Sequence, residues 1–253
     1  VKITFTSGTT GRPKGVCLGA PALEAVTAGL VQALGPLGIT RHLSVLPYAV
    51  LLENVAGAMA ARRQGATLLS LPTRRLGLTG SSQFDPAAFD RALREHGAHS
   101  VILLPQMLRA WCAWLGRSGQ RADPGLRFVA VGGAAVGAPL LTQAHALGIP
   151  AYEGYGLSEA CSVQTLNLPG ANRPGSAGRV LPHGQVRIAP DGEIELRGSL
   201  HLGYLGDPVP VPDWWPSGDI GRLDADGYLH IEGRRKNVLI TAYGRNVSPE
   251  WVE

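Results

Sequence analysis

Ile3-Thr4-Phe5-Thr6-Ser7-Gly8-Thr9-Thr10-Gly11-Arg12-Pro13-Lys14-Gly15 lies at the start of the chain. Its first four residues, β-branched and aromatic, read as a short strand. The remainder holds three glycines, three hydroxyl residues and two cations. Glycine lets a backbone reach conformations closed to other residues and leaves its N–H groups uncovered. Successive uncovered N–H groups form a concave anion site. Ser7, Thr9 and Thr10 add hydroxyl donors, and Arg12 and Lys14 add positive charge. This is the chemistry of a loop that wraps polyphosphate. It is not a Walker A loop, which requires Gly, four residues, then Gly-Lys-Ser/Thr. Here Gly8 is followed at that distance by Arg12 and Pro13, and Lys14 by Gly15, so a P-loop kinase or ATPase is excluded.

Outward from this stretch, strand and helix patterns alternate. Leu43–Pro47, Ala66–Leu71, Ser100–Pro105, Arg127–Val131 and Ile149–Glu153 are short apolar runs. Between them, Leu23, Val26, Leu30, Val31 and Leu34 share one helical face, with Gly35 at its end. Asp85-Pro86 starts a helix that stops at Gly97. Met107, Trp111, Trp114 and Leu115 form another stripe, read as core, and Pro139–Leu147 is a further helix. This order predicts an α/β fold, a mostly parallel sheet flanked by helices. Residues 72–84 read as an exposed loop. After about residue 170, Asp191-Gly192 and Asp226-Gly227 separate alternating runs. Both are hairpin signals and predict a small antiparallel β unit.

Three further clusters carry chemistry. Tyr152-Glu-Gly-Tyr-Gly-Leu-Ser-Glu159 follows a strand, and in open α/β sheets ligands bind beyond the carboxyl ends of strands. Tyr155 offers a flat ring for a purine. Glu159 offers an oxygen ligand for magnesium, which binds through a carboxylate and substrate phosphates. Val131-Gly-Gly-Ala-Ala-Val136 supplies small residues that let a ring approach the backbone. The third cluster runs from Trp215-Pro-Ser-Gly-Asp-Ile-Gly221 to Gly233-Arg-Arg-Lys-Asn237. No Gly-x-Ser-x-Gly is present, so a nucleophile elbow is excluded.

These segments, in this order, resemble the adenylate-forming superfamily of acyl-CoA synthetases, luciferases and nonribosomal adenylation domains. Ser7–Gly15 resembles its phosphate loop. Tyr155–Glu159 resembles its Tyr-Gly-x-Thr-Glu motif, with Ser158 keeping the hydroxyl. Gly132-Gly133-Ala134 is similar to its adenine-side segment. Ser217-Gly218-Asp219, Asp226-Gly227-Tyr228 and Gly233–Asn237 match the remaining motifs, with Asn237 in place of aspartate. Leu46–Glu53 and Tyr243–Glu253 look most like the long-chain acyl-CoA synthetase branch. That branch usually has histidine, near the acyl carboxylate, where Val50 stands.

The resemblance implies a two-step ligase using ATP, Mg2+ and coenzyme A: a carboxylic acid, a fatty acid in this branch, becomes acyl-AMP and then a thioester. It assigns Lys14, Ser158 and Glu159 to catalysis, with Glu159 also on the metal. Ser7, Gly8, Thr9, Thr10 and Gly11 would hold phosphate. Gly133, Ala134, Tyr155, Gly156, Asp219 and Arg234 would hold the nucleoside, with both ribose hydroxyls on Asp219. Lys236 falls on the hinge to a carboxyl-terminal domain. The expected organisation is a nucleotide-binding part at 1–169, a β subdomain at 170–233, and a hinge with the start of the next domain at 234–253. The termini read as cuts within a longer enzyme, a fragment of low activity by itself. A carrier-protein thiol as acceptor and an inactive nucleotide-binding scaffold are the competing expectations.

The bulk properties agree with these readings. The 253 residues are 45% apolar, with 34 glycines, 19 prolines and a net charge of +4. Basic residues do not interleave with aromatics in a stripe, which argues against nucleic acid. Cys17, Cys112 and Cys161 lack metal spacing and form an odd, scattered set, which points to a reducing, cytoplasmic setting. The apolar stretch Leu43–Ala61 contains Pro47, Glu53 and Asn54 and reads as strand plus helix. No basic amphipathic helix announces a membrane surface. The expected long-chain substrate leaves peripheral membrane contact as an expectation.

Overall fold

The computed structural model describes residues 1–6, 13–80, 83–207 and 209–236, with the backbone alone at 239–240 and 246–247. β1 (Lys2–Thr6) and β2 (Lys14–Leu18) pair antiparallel, closing at Thr6 and Lys14. α1 (Ala20–Leu34) buries Leu23, Val26, Leu30 and Leu34 on one stripe. It does not reverse at Gly35, whose φ of −50° is helical. A 3-10 turn, Gly35–Leu37, prolongs it, and Gly38 at φ 59° makes the left-handed exit.

β3 (Arg41–Ser44) leads to a π-helix at Glu53–Met59 that runs into α2 (Ala60–Gln64), followed by β4 (Thr67–Ser70). Residues 72–84 are not a plain exposed loop. They contain a 3-10 turn, Thr73–Leu76, and the short hairpin of β5 (Leu78–Thr79) and β6 (Gln83–Phe84). Leu76 is buried among the core residues and pins the segment down. In α3 (Pro86–Glu95) the Asp85 carboxylate accepts the N–H groups of Ala87 and Ala88 at 2.9 and 3.3 Å. Those are two of the four donors that a helix start leaves unpaired. The chain continues through β7 (Ser100–Leu103), α4 (Pro105–Ser118), β8 (Phe128–Val131), α5 (Ala138–Ala146), β9 (Ala151–Leu157), β10 (Ser162–Leu166) and β11 (Arg179–Val180).

Seven strands form one sheet in the order β11-β10-β9-β8-β7-β3-β4. The five from β4 to β9 are parallel, and β10 and β11 add antiparallel strands at one edge. Side chains alternate across a strand, and β8 shows the result. Val129 and Val131 face the core shared with α3, α4 and α5, while Phe128 faces α1 and the π-helix. Trp111 is fully buried in the first core, edge-on to Phe89 at 5.1 Å, and its indole N–H donates to Asp90 at 3.0 Å. A buried indole keeps its packing energy only when that N–H is paired.

A second sheet consists of β12 (Gly184–Ile188), β13 (Glu193–Gly198), β14 (Trp215–Leu223) and β15 (Leu229–Arg234), antiparallel throughout. Gly192 at φ 86° and Gly227 at φ 79° make the two Asp-Gly turns. Backbone bonds between Ala177, Gly178 and Leu229 hold this sheet to the segment before β11, and Arg173 pairs with Asp224 and Asp226. Its inner residues Ile194, Leu196 and Leu229 pack on Ala160, Tyr155 and Leu157. The smaller sheet therefore covers the end of β9. The architecture is the α/β one that the periodicity predicts.

Candidate active site

β9 is the spine of the site. The Tyr155-Gly156 pair, expected just beyond a strand, lies within it, because β10 prolongs β9 by antiparallel pairing after β8 has ended. Two glycines allow that pairing. A Cβ on Gly156 would overlap the Ser162 carbonyl, and one on Gly154 would sit 2.9 Å from the Thr165 carbonyl oxygen. The turn into β10 is strained: Cys161 has φ 57° and Ser162 φ 108°. Among the described residues the buried Ser162 hydroxyl has no hydrogen-bond partner.

One polar cluster joins β9 to the second sheet. The Tyr155 hydroxyl donates to Asp219 Oδ2 at 2.7 Å, and Arg234 Nε lies 3.0 Å from Asp219 Oδ1. Asp219 and Arg234 are cross-strand partners on β14 and β15. Asp219 is only 5% exposed. Burial first, and the Asp219 charge second, hold the Tyr155 phenol well above its ordinary pKa, so it stays a donor. Gly132 and Gly133 lie just past β8, where Gly133 has φ 85°. Gly133 and Tyr155 line a largely apolar cavity of about 220 Å³, with Val50, Leu52, Ser158 and Leu166. Ala134 is exposed on the loop beyond.

A second cluster begins four residues further along the same segment. Glu159 lies in the turn Ser158–Ala160, and its Oε1 accepts the Tyr204 hydroxyl at 2.9 Å. Lys14 Nζ sits 4.7 Å from the centre of the Tyr204 ring. The backbone of 202–205 runs beside β2, through Cys17 N to Gly203 O, Leu202 N to Cys17 O and Leu205 N to Gly15 O. His201 N donates to Glu159 O at 2.8 Å, which ties this strap to the Glu159 turn. Lys14 and Glu159, both expected from the sequence, thus meet through Tyr204, which the sequence did not flag. Among the described residues no group of three His, Cys, Asp or Glu could hold a metal alone. Glu159 presents one carboxylate in this turn, and magnesium is commonly bound through one or two carboxylates together with waters and substrate phosphates.

Glu153 carries no signal of its own in the sequence. It is buried, its Oε1 accepts the Val136 N–H at 3.0 Å, and burial pushes its carboxyl up to about 7. It clasps the loop after β8 to β9. Lys236 is exposed just after β15. Ser7, Gly8, Thr9, Thr10, Gly11, Arg12 and Asn237 lie outside the described residues, as do 241–245 and 248–253 of the carboxyl-terminal stretch.

A model of the AMP-binding enzyme family matches residues 1–203. The indoleacetate–CoA ligase of Aromatoleum aromaticum is 32% identical over 99% of this chain and 50% of its own length. The 2-succinylbenzoate–CoA ligase of Listeria monocytogenes is 30% identical over 99% of the chain and 52% of its own. The chain spans about half the length of these relatives. Among solved structures, the Bacillus subtilis O-succinylbenzoate coenzyme A synthetase in complex with ATP and magnesium superposes with a TM-score of 0.81. It is 25% identical, over 99% of this chain and 53% of that one. With a family match over most of its length, and with the fold and motifs described above, the chain belongs to the AMP-binding enzyme family.

Proposed function

We propose that this chain carries the nucleotide- and acid-binding part of an acid–thiol ligase that converts an apolar carboxylic acid, a fatty acid in the reading taken from Leu46–Glu53, into its acyl-AMP and then its coenzyme A thioester. The observation that carries the proposal is the four-residue step from Tyr155 to Glu159. It sets a carboxylate–phenol–guanidinium cluster and a lysine–phenol–carboxylate cluster at the end of one strand, beside an apolar cavity. Names of relatives that act on indoleacetate and succinylbenzoate support acid activation in general.

The roles follow from the chemistry of the side chains. Asp219 accepts the ribose hydroxyls, as a carboxylate with two oxygens can. Arg234 orients Asp219 from the next strand. Gly133 and Tyr155 flank the adenine, with Ala134 and Gly156 beside it. Lys14, with the loop of Ser7–Gly11, steadies the outer phosphates while the acid carboxylate attacks the α-phosphorus and pyrophosphate leaves. Glu159 would hold a magnesium ion, which would offset phosphate charge. Ser158, on the cavity wall, positions the acid near that phosphorus. Positioning and charge stabilisation carry such a transfer. The Lys236 hinge and the 1–169, 170–233 and 234–253 division belong to the same proposal, as does work in the cytoplasm. The test is pyrophosphate release by the protein in its full natural length, with ATP and a panel of fatty, aryl and amino acids. Release with apolar acids supports the proposal; ATP binding without release for any acid overturns it.

A further inference from the structure

Tyr204 stands between two groups that the proposed chemistry requires, yet neither spacing nor alternation singles it out in the sequence. Its hydroxyl donates to Glu159 Oε1 at 2.9 Å, and the Lys14 ammonium lies 4.7 Å from its ring centre. Its backbone bridges to Val16 on β2, two residues from Lys14. Its ring is held from behind: His201 packs against it at 5.2 Å and Trp215 at 6.1 Å, and Trp215 meets His201 edge-on at 4.3 Å. Burial lowers the His201 pKa, which favours the neutral imidazole in this cage. Trp215 opens β14, the strand that carries Asp219 four residues later. The phenol therefore couples β2, the Glu159 turn and the second sheet at one point.

Three physical consequences follow. A phenol donor on one carboxylate oxygen restrains the rotamer of Glu159 and leaves its other oxygen for a further partner. Among the described residues that second oxygen takes no hydrogen bond. A ring face beneath Lys14 keeps the ammonium close by without neutralising it, as an ion pair with Glu159 would. Each group is engaged by Tyr204, and among the described residues Lys14 and Glu159 make no ion pair with each other, so neither masks the other before a polyphosphate and its metal arrive.

We propose that Tyr204 is a positioning residue for the metal–polyphosphate part of the nucleotide, acting through Glu159 and Lys14 without touching the nucleoside. This rests on the ligase reading, and its test is built to separate the two. Tyr204→Phe keeps the ring and the cage and removes only the hydroxyl; Tyr204→Leu removes both supports. Binding of AMP and of ATP with magnesium is measured by calorimetry on the protein in its full natural length and on each variant. The steady-state KM values for ATP and for the acid are measured alongside. The expected result for Tyr204→Phe is affinity for magnesium–ATP weakened on the order of tenfold, the scale of one hydrogen bond to a charged group. AMP affinity and the KM for the acid stay unchanged, and Tyr204→Leu weakens magnesium–ATP further. Equal magnesium–ATP binding by Tyr204→Phe and the unsubstituted protein overturns this inference alone. Parallel weakening of AMP and magnesium–ATP also overturns it, since that marks a general structural role. Failure of the unsubstituted protein to bind either nucleotide overturns the ligase reading and this inference with it.

Discussion

Tyr155 and Asp219, 64 residues apart in the chain, meet through a 2.7 Å hydrogen bond that the phenol donates to the carboxylate. The bond crosses from the large sheet to the small one. It exists because Ile194, Leu196 and Leu229 of the small sheet bury themselves on Ala160, Tyr155 and Leu157. Apolar packing docks the sheets, and the polar pair fixes their register at the site. Arg234, opposite Asp219 on the neighbouring strand, also pairs with the carboxylate. A buried carboxylate must be paired in this way to stay charged.

Asp219→Asn keeps the size of the side chain and removes its charge. Hydrogen bonds to a charged acceptor are worth about 1.5–3 kcal/mol. Affinity for AMP and ATP is expected to fall together, on the order of tenfold to a hundredfold, because both ligands carry the ribose. Calorimetric titration with each nucleotide checks this. A loss confined to ATP contradicts the ribose assignment.

Gly156→Ala puts a methyl group where the Ser162 carbonyl oxygen lies. Backbone cannot move aside as a flexible side chain can, so β9 and β10 must separate. The cost expected for overpacking is about 1–3 kcal/mol, read as a lower Tm in thermal melting. Tyr155 is displaced with the strand, so nucleotide affinity falls as well. An alanine variant with unchanged Tm and affinity contradicts the close approach.

Much of this architecture is legible in the sequence, and the reason is local. Strand and helix periods, Asp-Gly turns and the Asp85 cap are each decided by neighbouring residues. Clusters that form by long-range pairing are not. Nothing near Tyr204 reveals that it meets Glu159 45 residues away. Glu153 looks like one more residue of a motif until its carboxylate is seen on Val136, 17 residues earlier. Residues 72–84 read as an exposed loop for a related reason: Leu76 follows two arginines in a stretch rich in glycine and hydroxyl residues, and only the tertiary core shows that it is buried. The roles proposed for Lys14, Glu159 and Asp219 come from the resemblance carried by the motifs around them, since no local pattern assigns them.

Glu153 gives a pH dependence whose sign is fixed. Burial raises its folded pKa from 4.5 to about 7, so the folded state binds more protons than the unfolded state between those values. Stability from this group is therefore greatest below about pH 4.5 and falls as pH rises through 7. At higher pH the charged form costs up to about 3 kcal/mol. Glu153→Gln retains an oxygen for the Val136 N–H and carries no charge. It is expected to melt above the unsubstituted protein at pH 8, with the gap closing by pH 5. Urea unfolding at both pH values checks this; a gap independent of pH contradicts it.

Val50 is exposed and lines the apolar cavity, at the position where the resemblance leads one to expect histidine. Val50→His adds a polar group at the acid end and leaves the Asp219 and Glu159 clusters untouched. The expected outcome is a several-fold change in KM for the acid with the KM for ATP unchanged. Steady-state kinetics with both substrates varied makes the comparison, and a shift confined to ATP contradicts the placement of the acid in this cavity.

The central claim is that separate segments converge on a single nucleotide, and a crystal structure of the protein in its full natural length with magnesium and ATP tests it most directly. The account predicts the ribose within hydrogen-bond distance of Asp219, the adenine against Gly133 and Tyr155, and the outer phosphates between Lys14 and Glu159. Nucleotide bound elsewhere, or with its phosphates directed away from Lys14 and Glu159, contradicts it.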